Sequence, residues 1–462
     1  MRGRPTNEQF RHMLEHMVQT IKNEIVEGLY EPGTDLPSEK ALAVRFGISN
    51  LSVRKGLEIL AGEGWIEKIP NVGNRVLRRR PPVVLTLGLN ETTVRNMALN
   101  ELLKDFERLY SWITVHVKAY SASKEYERAE PNAFDVFTLS NMQFQQLCEQ
   151  GGTGILDPIE DHPDLYPFLN ELFSHEGRAV LQPIIFTPVV LCYNKRHFRE
   201  RGLAEPTGGW TWDDLVRNAE KLTEGERYGF CFHLPDVNRW PIFLLQSGER
   251  RRPQRSPDEP DDAARLMEGI RLCKEIVHNH NVFPRYMSEN NADIERMFLE
   301  GKLSMVLTSY MALNDWKQAE VEYDVAPMPF LHEPRTLTVA TGAGIASHSG
   351  HKEEARLLVD YLTSERAQSL IRKHTLSIPA RQRIEPSGWS GEIANVPGRY
   401  MLYRELIFSY RTHRDLPIAV SSMGKLAQLL KSYWANMTAE EELYRGIGEL
   451  LDHQGGEKEN GT

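Results

Sequence analysis

Apolar residues recur at helical spacing from the start of the chain. Phe10, Leu14, Met17, Val18, Ile21 and Ile25 line one face of a helix predicted over residues 7–29, with Gly28 at its end. Pro32-Gly33 turns the chain into a shorter helix that points Leu42, Ala43 and Phe46 inward, with Ser38 placed to cap it and Gly47 to close it. Ser49 can cap a third helix, whose stripe of Val53, Leu57, Leu60 and Ala61 leaves Asn50, Ser52, Arg54 and Lys55 on the opposite, polar face. After Gly64 the pattern shifts to strand character: Trp65 to Ile69 and Arg75 to Leu77 flank Pro70-Asn71-Val72-Gly73-Asn74 as a hairpin. Helix, turn, helix and hairpin in that order make a winged helix-turn-helix. Such a motif lays its second helix in the major groove with the N-terminal residues on base edges, where the polar, cationic face falls here.

Arg78 to Pro82, three arginines and a proline pair, mark the end of this module. Beyond them strands alternate with helices, as an α/β sheet requires. Strands are predicted over 83–88, 113–117, 134–139, 301–308, 324–330 and 337–345, and helices over 92–110, 195–201, 213–222, 294–299 and 352–362. Thr211 and Asp214 have the spacing of a capping box at the start of one of these helices, and Trp212 is assigned to packing there. The run PIIFTPVVLCYN at 183–194 is extended, apolar and broken by Pro188, such as would carry the chain from one lobe to another. Ligands of such sheets bind beyond the carboxyl ends of strands, which points to Asn90-Glu91 and Ser140-Asn141. Arg250 to Asp262 reads as a polar surface loop, and the tail from Gln454 as disordered.

Length and charge sharpen the division. A chain of 462 residues leaves roughly 380 beyond the winged helix, enough for one large or two medium domains. The first 80 residues carry 13 Lys and Arg against 10 Asp and Glu, and the remainder 42 against 54. A mildly basic head thus precedes an acidic body, which suits a nucleic-acid end joined to a domain that does not touch nucleic acid. The N-terminus has no apolar run and no stretch approaches the length of a membrane span, so a cytoplasmic protein with no membrane partner is expected. Cys148, Cys192, Cys231 and Cys273 have no pair spacing and read as reduced core thiols.

Residues 18–77, with VQTIKNEIVEGLYEPGTDLPSEKALAVRFGIS and VRKGLEILAGEGWIEK, resemble the DNA-binding domain of the GntR family of bacterial transcription regulators. The resemblance implies that Lys40, Ser49, Asn50, Ser52 and Arg54 contact operator DNA, and that Asn71 and Gly73 lie at the wing tip. Lys55 joins them from the polar face of the helix. Asn50 stands where the family usually has arginine, and asparagine can read adenine through N6 and N7. Asn71 stands where a wing glycine is common, and asparagine tolerates positive φ.

The rest of the chain resembles bacterial extracellular solute-binding proteins of the carbohydrate-binding class, through VVLCYNKRHFRERGL, GWTWDDLVRNAEKLT, MFLEGKLSMVLTSY, YDVAPMPF, TGAGIASHSGHKEEARLLVDYL and SIPAR in that order. The fold class this implies is multidomain: an α+β winged helix-turn-helix over 1–77, a linker at 78–82, and a two-lobed α/β, periplasmic-binding-protein-like (type II) domain over 83–450. Lobe one would take 83–187 and 327–364, lobe two 188–326 and 365–450, with a disordered tail at 451–462. A sugar cleft needs aromatic planes beside carboxylates, amides and arginine. Glu91, Asn141, Tyr193, Trp210, Arg239, Trp240 and Tyr310 lie where the resemblance places the cleft.

Nothing in the sequence reads as an enzyme. Gly342-Ala343-Gly344 lacks the strand-loop-helix setting of a dinucleotide site, and His278-Asn279-His280 has no third ligand for a metal. No cofactor is predicted. The expectation is a sugar-responsive regulator that binds operator DNA as a homodimer. The alternative is an intracellular sugar-binding protein whose winged helix serves dimerisation or partner binding, a reading that Asn50 favours.

Overall fold

The computed structural model describes residues 7–459 except 27, 71, 78–81, 121–132, 248–260, 286–287 and 385–387, and it leaves out the side chains of 7–12, 91, 120 and 453–459. The linker Arg78 to Pro81, Asn71 and most of the predicted surface loop lie outside the described residues.

Three helices and a hairpin open the chain: α1 (Asn7–Val26), α2 (Glu39–Phe46), α3 (Asn50–Gly62), β1 (Ile66–Ile69) and β2 (Gly73–Val76). The local chemistry anticipated above is present. The Ser38 hydroxyl accepts the Ala41 amide, and Gly47 ends α2 at φ 65°, a left-handed conformation that glycine adopts without a Cβ penalty. β1 and β2 pair antiparallel, Ile66 opposite Val76.

Lobe one follows: β3 (Val83–Asn90), α4 (Glu91–Asn96), α5 (Leu99–Leu109), β4 (Ile113–Tyr120), β5 (Val136–Ser140), α6 (Asn141–Glu149), α7 (Pro167–Leu172) and a small hairpin, β6 (Ser174–His175) with β7 (Arg178–Ala179). The stretch read as one helix over 92–110 is two, because Ala98 turns left-handed at φ 52° and redirects α5 so that Leu99, Leu102 and Phe106 are buried. The strand β8 (Gln182–Asn194), buried along its whole length, then crosses into lobe two.

Lobe two comprises α8 (Lys195–Glu200), α9 (Trp212–Leu222), β9 (Tyr228–Cys231), α10 (Pro241–Ser247), α11 (Asp262–His278), α12 (Asn291–Leu299), β10 (Leu303–Ser309) and β11 (Tyr323–Ala326). The capping box of α9 is formed, with Thr211 and Asp214 bonded reciprocally. Trp212 stacks on Phe243 and donates from Nε1 to Gln246 at 2.7 Å. A side chain at Gly229 would place its Cβ 2.0 Å from the Ala219 carbonyl oxygen, so glycine is what lets α9 lie on β9. The chain returns through β12 (Thr336–Ile345), α13 (Lys352–Thr363), α14 (Glu365–His374) and β13 (Ile378–Pro379), and ends with α15 (Leu402–Glu405), β14 (Tyr410–Arg411), α16 (Met423–Trp434) and α17 (Glu440–Glu459).

One sheet serves both lobes, in the order β4-β3-β5-β12-β8-β10-β9. The first half of β8, to Pro188, pairs with β12, and Val189 to Tyr193 pair with β10. The change of partner therefore falls at Thr187-Pro188-Val189, where Pro188 breaks the apolar run. The Thr187 hydroxyl accepts the Tyr310 amide at 2.8 Å, and the Thr336 hydroxyl donates to the Val189 carbonyl at 2.6 Å.

Two boundaries shift. α14, placed in lobe two by sequence, packs on lobe one: Arg366 donates to Asp105 of α5 at 2.6 and 2.8 Å, and Ala367 and Ile371 are buried in the core that α5 and α13 share. The segment read as a tail from 451 continues α17 to Glu459, because extending a helix already anchored by Leu443, Ile447 and Leu450 costs little.

The winged helix does not stand apart from lobe one. One apolar cluster runs from Met17, Ile21 and Leu57 through Trp65 and Trp112 to Leu85 and Phe106. Trp65 of the winged helix meets Trp112 of lobe one edge to face at 4.5 Å, and Trp112 meets Tyr110 at 5.4 Å. Lys22, only 4% exposed, pairs with Glu63 at 2.5 Å and lies 6.0 Å from the rings of both Trp65 and Tyr110. Arg366 extends its Asp105 pair to Glu15 of α1 at 3.8 Å.

Candidate functional site

The first turn of α3 sets one functional face. Ser49 Oγ accepts the Ser52 amide at 3.1 Å and lies 2.7 Å from Ser52 Oγ. That pairing holds Ser52 inward, 3% exposed, and not on the polar face where its position had put it, since it borders the buried stripe of Val53 and Gly56. Ser49, Asn50, Arg54 and Lys55 are exposed, as is Lys40 on α2. Arg54 is held across the two helices, its Nη2 donating to Glu39 Oε2 at 3.0 Å. Gly73 is exposed at the wing, with φ 144°. A guanidinium, two ammonium groups and an amide thus project from adjoining helices, a donor set suited to phosphates and base edges.

The second face is a cavity of about 910 Å³ between lobe one and the segment from Ile407 to Asp415. Lobe one supplies Asp161 and the α7 to β7 excursion, including Phe168, Asn170, Glu171, Ser174 and Glu176; β12 supplies Thr338. The segment from Ile407 to Asp415 closes the far side with Tyr410, Arg411 and Arg414. β14 brings this segment in by pairing with the start of β12, Tyr410 opposite Thr336. Its other anchors are His413, whose Nε2 donates to the Val237 carbonyl at 2.8 Å, and Asp415, which caps Thr412.

The Phe168 and Tyr410 rings lie 5.7 Å apart, giving aromatic surface beside carboxylates and guanidinium groups. Tyr410 is fixed by its hydroxyl bond to the Tyr403 carbonyl at 2.5 Å, and burial pushes its own ionisation upward, so it is a neutral surface. The Thr338 hydroxyl is buried without a hydrogen-bond partner among the described residues. Such a lining can offer apolar planes to a ring and hydrogen bonds to its edge.

Most of the residues singled out for the cleft sit elsewhere. Asn141 lines a small recess beside the cavity, but its amide is committed to β12, accepting the Ala340 amide at 2.9 Å and donating to the Thr338 carbonyl at 3.4 Å. Tyr193 is fully buried with its hydroxyl on Glu205 at 2.8 Å. Arg239 is 5% exposed and lies 3.5 Å from Asp236, Trp240 packs against Trp434, and Tyr310 is walled in by Tyr400 and Tyr403. Trp210 is half-buried against Phe198. None of these five lines the cavity: Tyr193, Trp240 and Tyr310 bury their rings in the lobe core, Trp210 packs on Phe198, and Arg239 is held by Asp236. The side chain of Glu91 lies outside the described residues. The cavity residues Phe168, Tyr410, Arg411 and Arg414 went unnoticed because none follows a predicted strand, and long-range contacts such as the β14 pairing bring them together.

With this geometry established, the chain can be set beside known proteins. Residues 101–397 match the family of bacterial extracellular solute-binding proteins. The chain belongs to that family. In addition to its solute-binding domain it carries a GntR domain, since residues 14–76 match the bacterial regulatory proteins of the gntR family. A putative binding protein of Brucella abortus is 24% identical over 195 residues, which are 40% of this chain and 47% of that relative. The chain thus spans about half the length of that curated relative. Among solved structures of the solute-binding fold, the substrate-binding protein Lmo0181 of Listeria monocytogenes in complex with cycloalternan has a TM-score of 0.65 at 21% identity, covering 80% of this chain and 99% of that one. Maltose-bound MalE3 of T. maritima has a TM-score of 0.67 at 17% identity over 80% and 99%. Among the described residues, no helix of this solute-binding family member is long and apolar enough to cross a membrane.

Proposed function

We propose that the protein is a sugar-responsive transcription regulator. The carrying observation is the shared core: the GntR domain and lobe one form one body, while the cavity lies where lobe one meets the segment leading into lobe two. The winged helix reads operator DNA, and the cavity takes a mono- or oligosaccharide, stacked on Phe168 and held at its edges by carboxylates and arginines. Two copies act together, because helix-turn-helix modules read paired half-sites about one helical turn apart. Access to DNA places the protein in the cytoplasm. If sugar moves lobe two against the body that carries the winged helix, sugar and DNA affinities shift reciprocally.

The neighbours bind cycloalternan and maltose, so the first ligands to titrate calorimetrically into the full chain are those two and maltotriose. Phe168→Ala should weaken the binding of whichever sugar is taken up by roughly thirtyfold, the scale of removing an aromatic anchor, with DNA affinity unchanged. Unchanged sugar affinity in that variant would place the ligand elsewhere.

Arg54→Ala tests the other face. Operator affinity should fall roughly tenfold to a hundredfold by fluorescence anisotropy, with sugar affinity intact. A joint loss of both would contradict the assignment of the two faces to two ligands.

A further inference from the structure

α3 carries on its exposed face a side chain for which its own fold has no use. Leu51, the second residue of the helix, is 71% exposed, whereas Val53, Leu57 and Leu60 are fully buried. At 100° per residue Leu51 shares a face with Arg54 and Lys55, three and four positions on, and Asn50 adjoins it. The surrounding turn is stiff: the Ser49 and Ser52 hydroxyls fix the helix start, and Glu39 holds Arg54 from α2. A leucine offers no hydrogen bond, so in a major groove it can discriminate only through apolar contact. The apolar feature displayed there is the 5-methyl group of thymine.

We propose that Leu51 is a specificity-determining residue that reads a thymine methyl in each operator half-site, beside the hydrogen-bonding groups of Asn50 and Arg54. This rests on the DNA-reading function proposed above. Removing one methyl from such a contact costs about fourfold in affinity.

The test selects binding sites for the full chain from a random duplex library, then measures affinity for the selected duplex with each thymine replaced in turn by deoxyuridine. Wild type should lose about fourfold at one thymine of each half-site. Leu51→Ala, whose exposed position leaves folding untouched, should bind the thymine and uracil duplexes equally. A wild type indifferent to uracil at every position, a half-site without thymine, or a Leu51→Ala protein that keeps the discrimination would each overturn the assignment while leaving the regulator reading in place. Enrichment of no sequence at all would overturn both.

Discussion

Replacing Trp112 by alanine should destabilise the protein by about 3–5 kcal/mol, the cost of emptying a tryptophan-sized site in a packed core. Trp112 is 3% exposed, and its ring is the one that Trp65 meets at 4.5 Å, so the void opens between the winged helix and lobe one. The Lys22–Glu63 pair would suffer with it. Lys22 is tolerated at 4% exposure because it has a carboxylate at 2.5 Å and two aromatic faces within 6.0 Å, and loosening the rings admits water to that pair. The expected outcome in calorimetry is a split transition, with the winged helix melting first. Both ligands should still bind, but the effect of sugar on DNA affinity should shrink, because the body that transmits it is no longer rigid. A single transition with full coupling would show that the interface is dispensable.

Glu295→Gln should stabilise the protein at alkaline pH by about 3 kcal/mol and do little near pH 5. Glu295 lies on α12, 8% exposed, with the Thr308 hydroxyl 3.5 Å from its Oε1. Burial raises its pKa from 4.5 to about 7; Arg239 works against the shift, and Asp315 adds to it. The folded state therefore binds a proton that the unfolded state has released between pH 4.5 and 7. The stability this confers is fully present below the unfolded pKa and is lost as pH rises through about 7, where an ionised carboxylate must be kept buried. Glutamine fills the same space and never ionises. Urea midpoints of wild type and Glu295→Gln should thus diverge from pH 5 to pH 8, and parallel profiles would show that Glu295 is solvated when charged.

The winged helix was legible in sequence because its signals are local. Caps at Ser38 and Ser49, the left-handed Gly47 and the apolar stripes are each settled within a few residues, and all are present. Ser52 escaped because a residue at the margin of a stripe can face either way, and a hydroxyl contact with Ser49 decided it. The crossing strand β8 was legible from its apolar run broken at Pro188, but the assignment of α14 was not, since an amphipathic helix carries no label for the lobe it covers. Arginines and a proline pair at 78–82 suggested two separate bodies, whereas the contact that joins them is made by Trp65 and Trp112, whose meeting no linker composition foretells. The cavity was the least legible part. Phe168 and Tyr410 are far apart in the chain and meet through long-range contacts, among them a two-residue strand that pairs with β12.

The coupling of the two ligands is the central claim, and its most direct measurement is the anisotropy of the full chain on its selected operator, titrated with and without saturating maltose, maltotriose or cycloalternan. At least one sugar should change operator affinity, and operator DNA should change the affinity for that sugar by the same factor. Operator affinity that stays constant while calorimetry shows the sugar bound would contradict it.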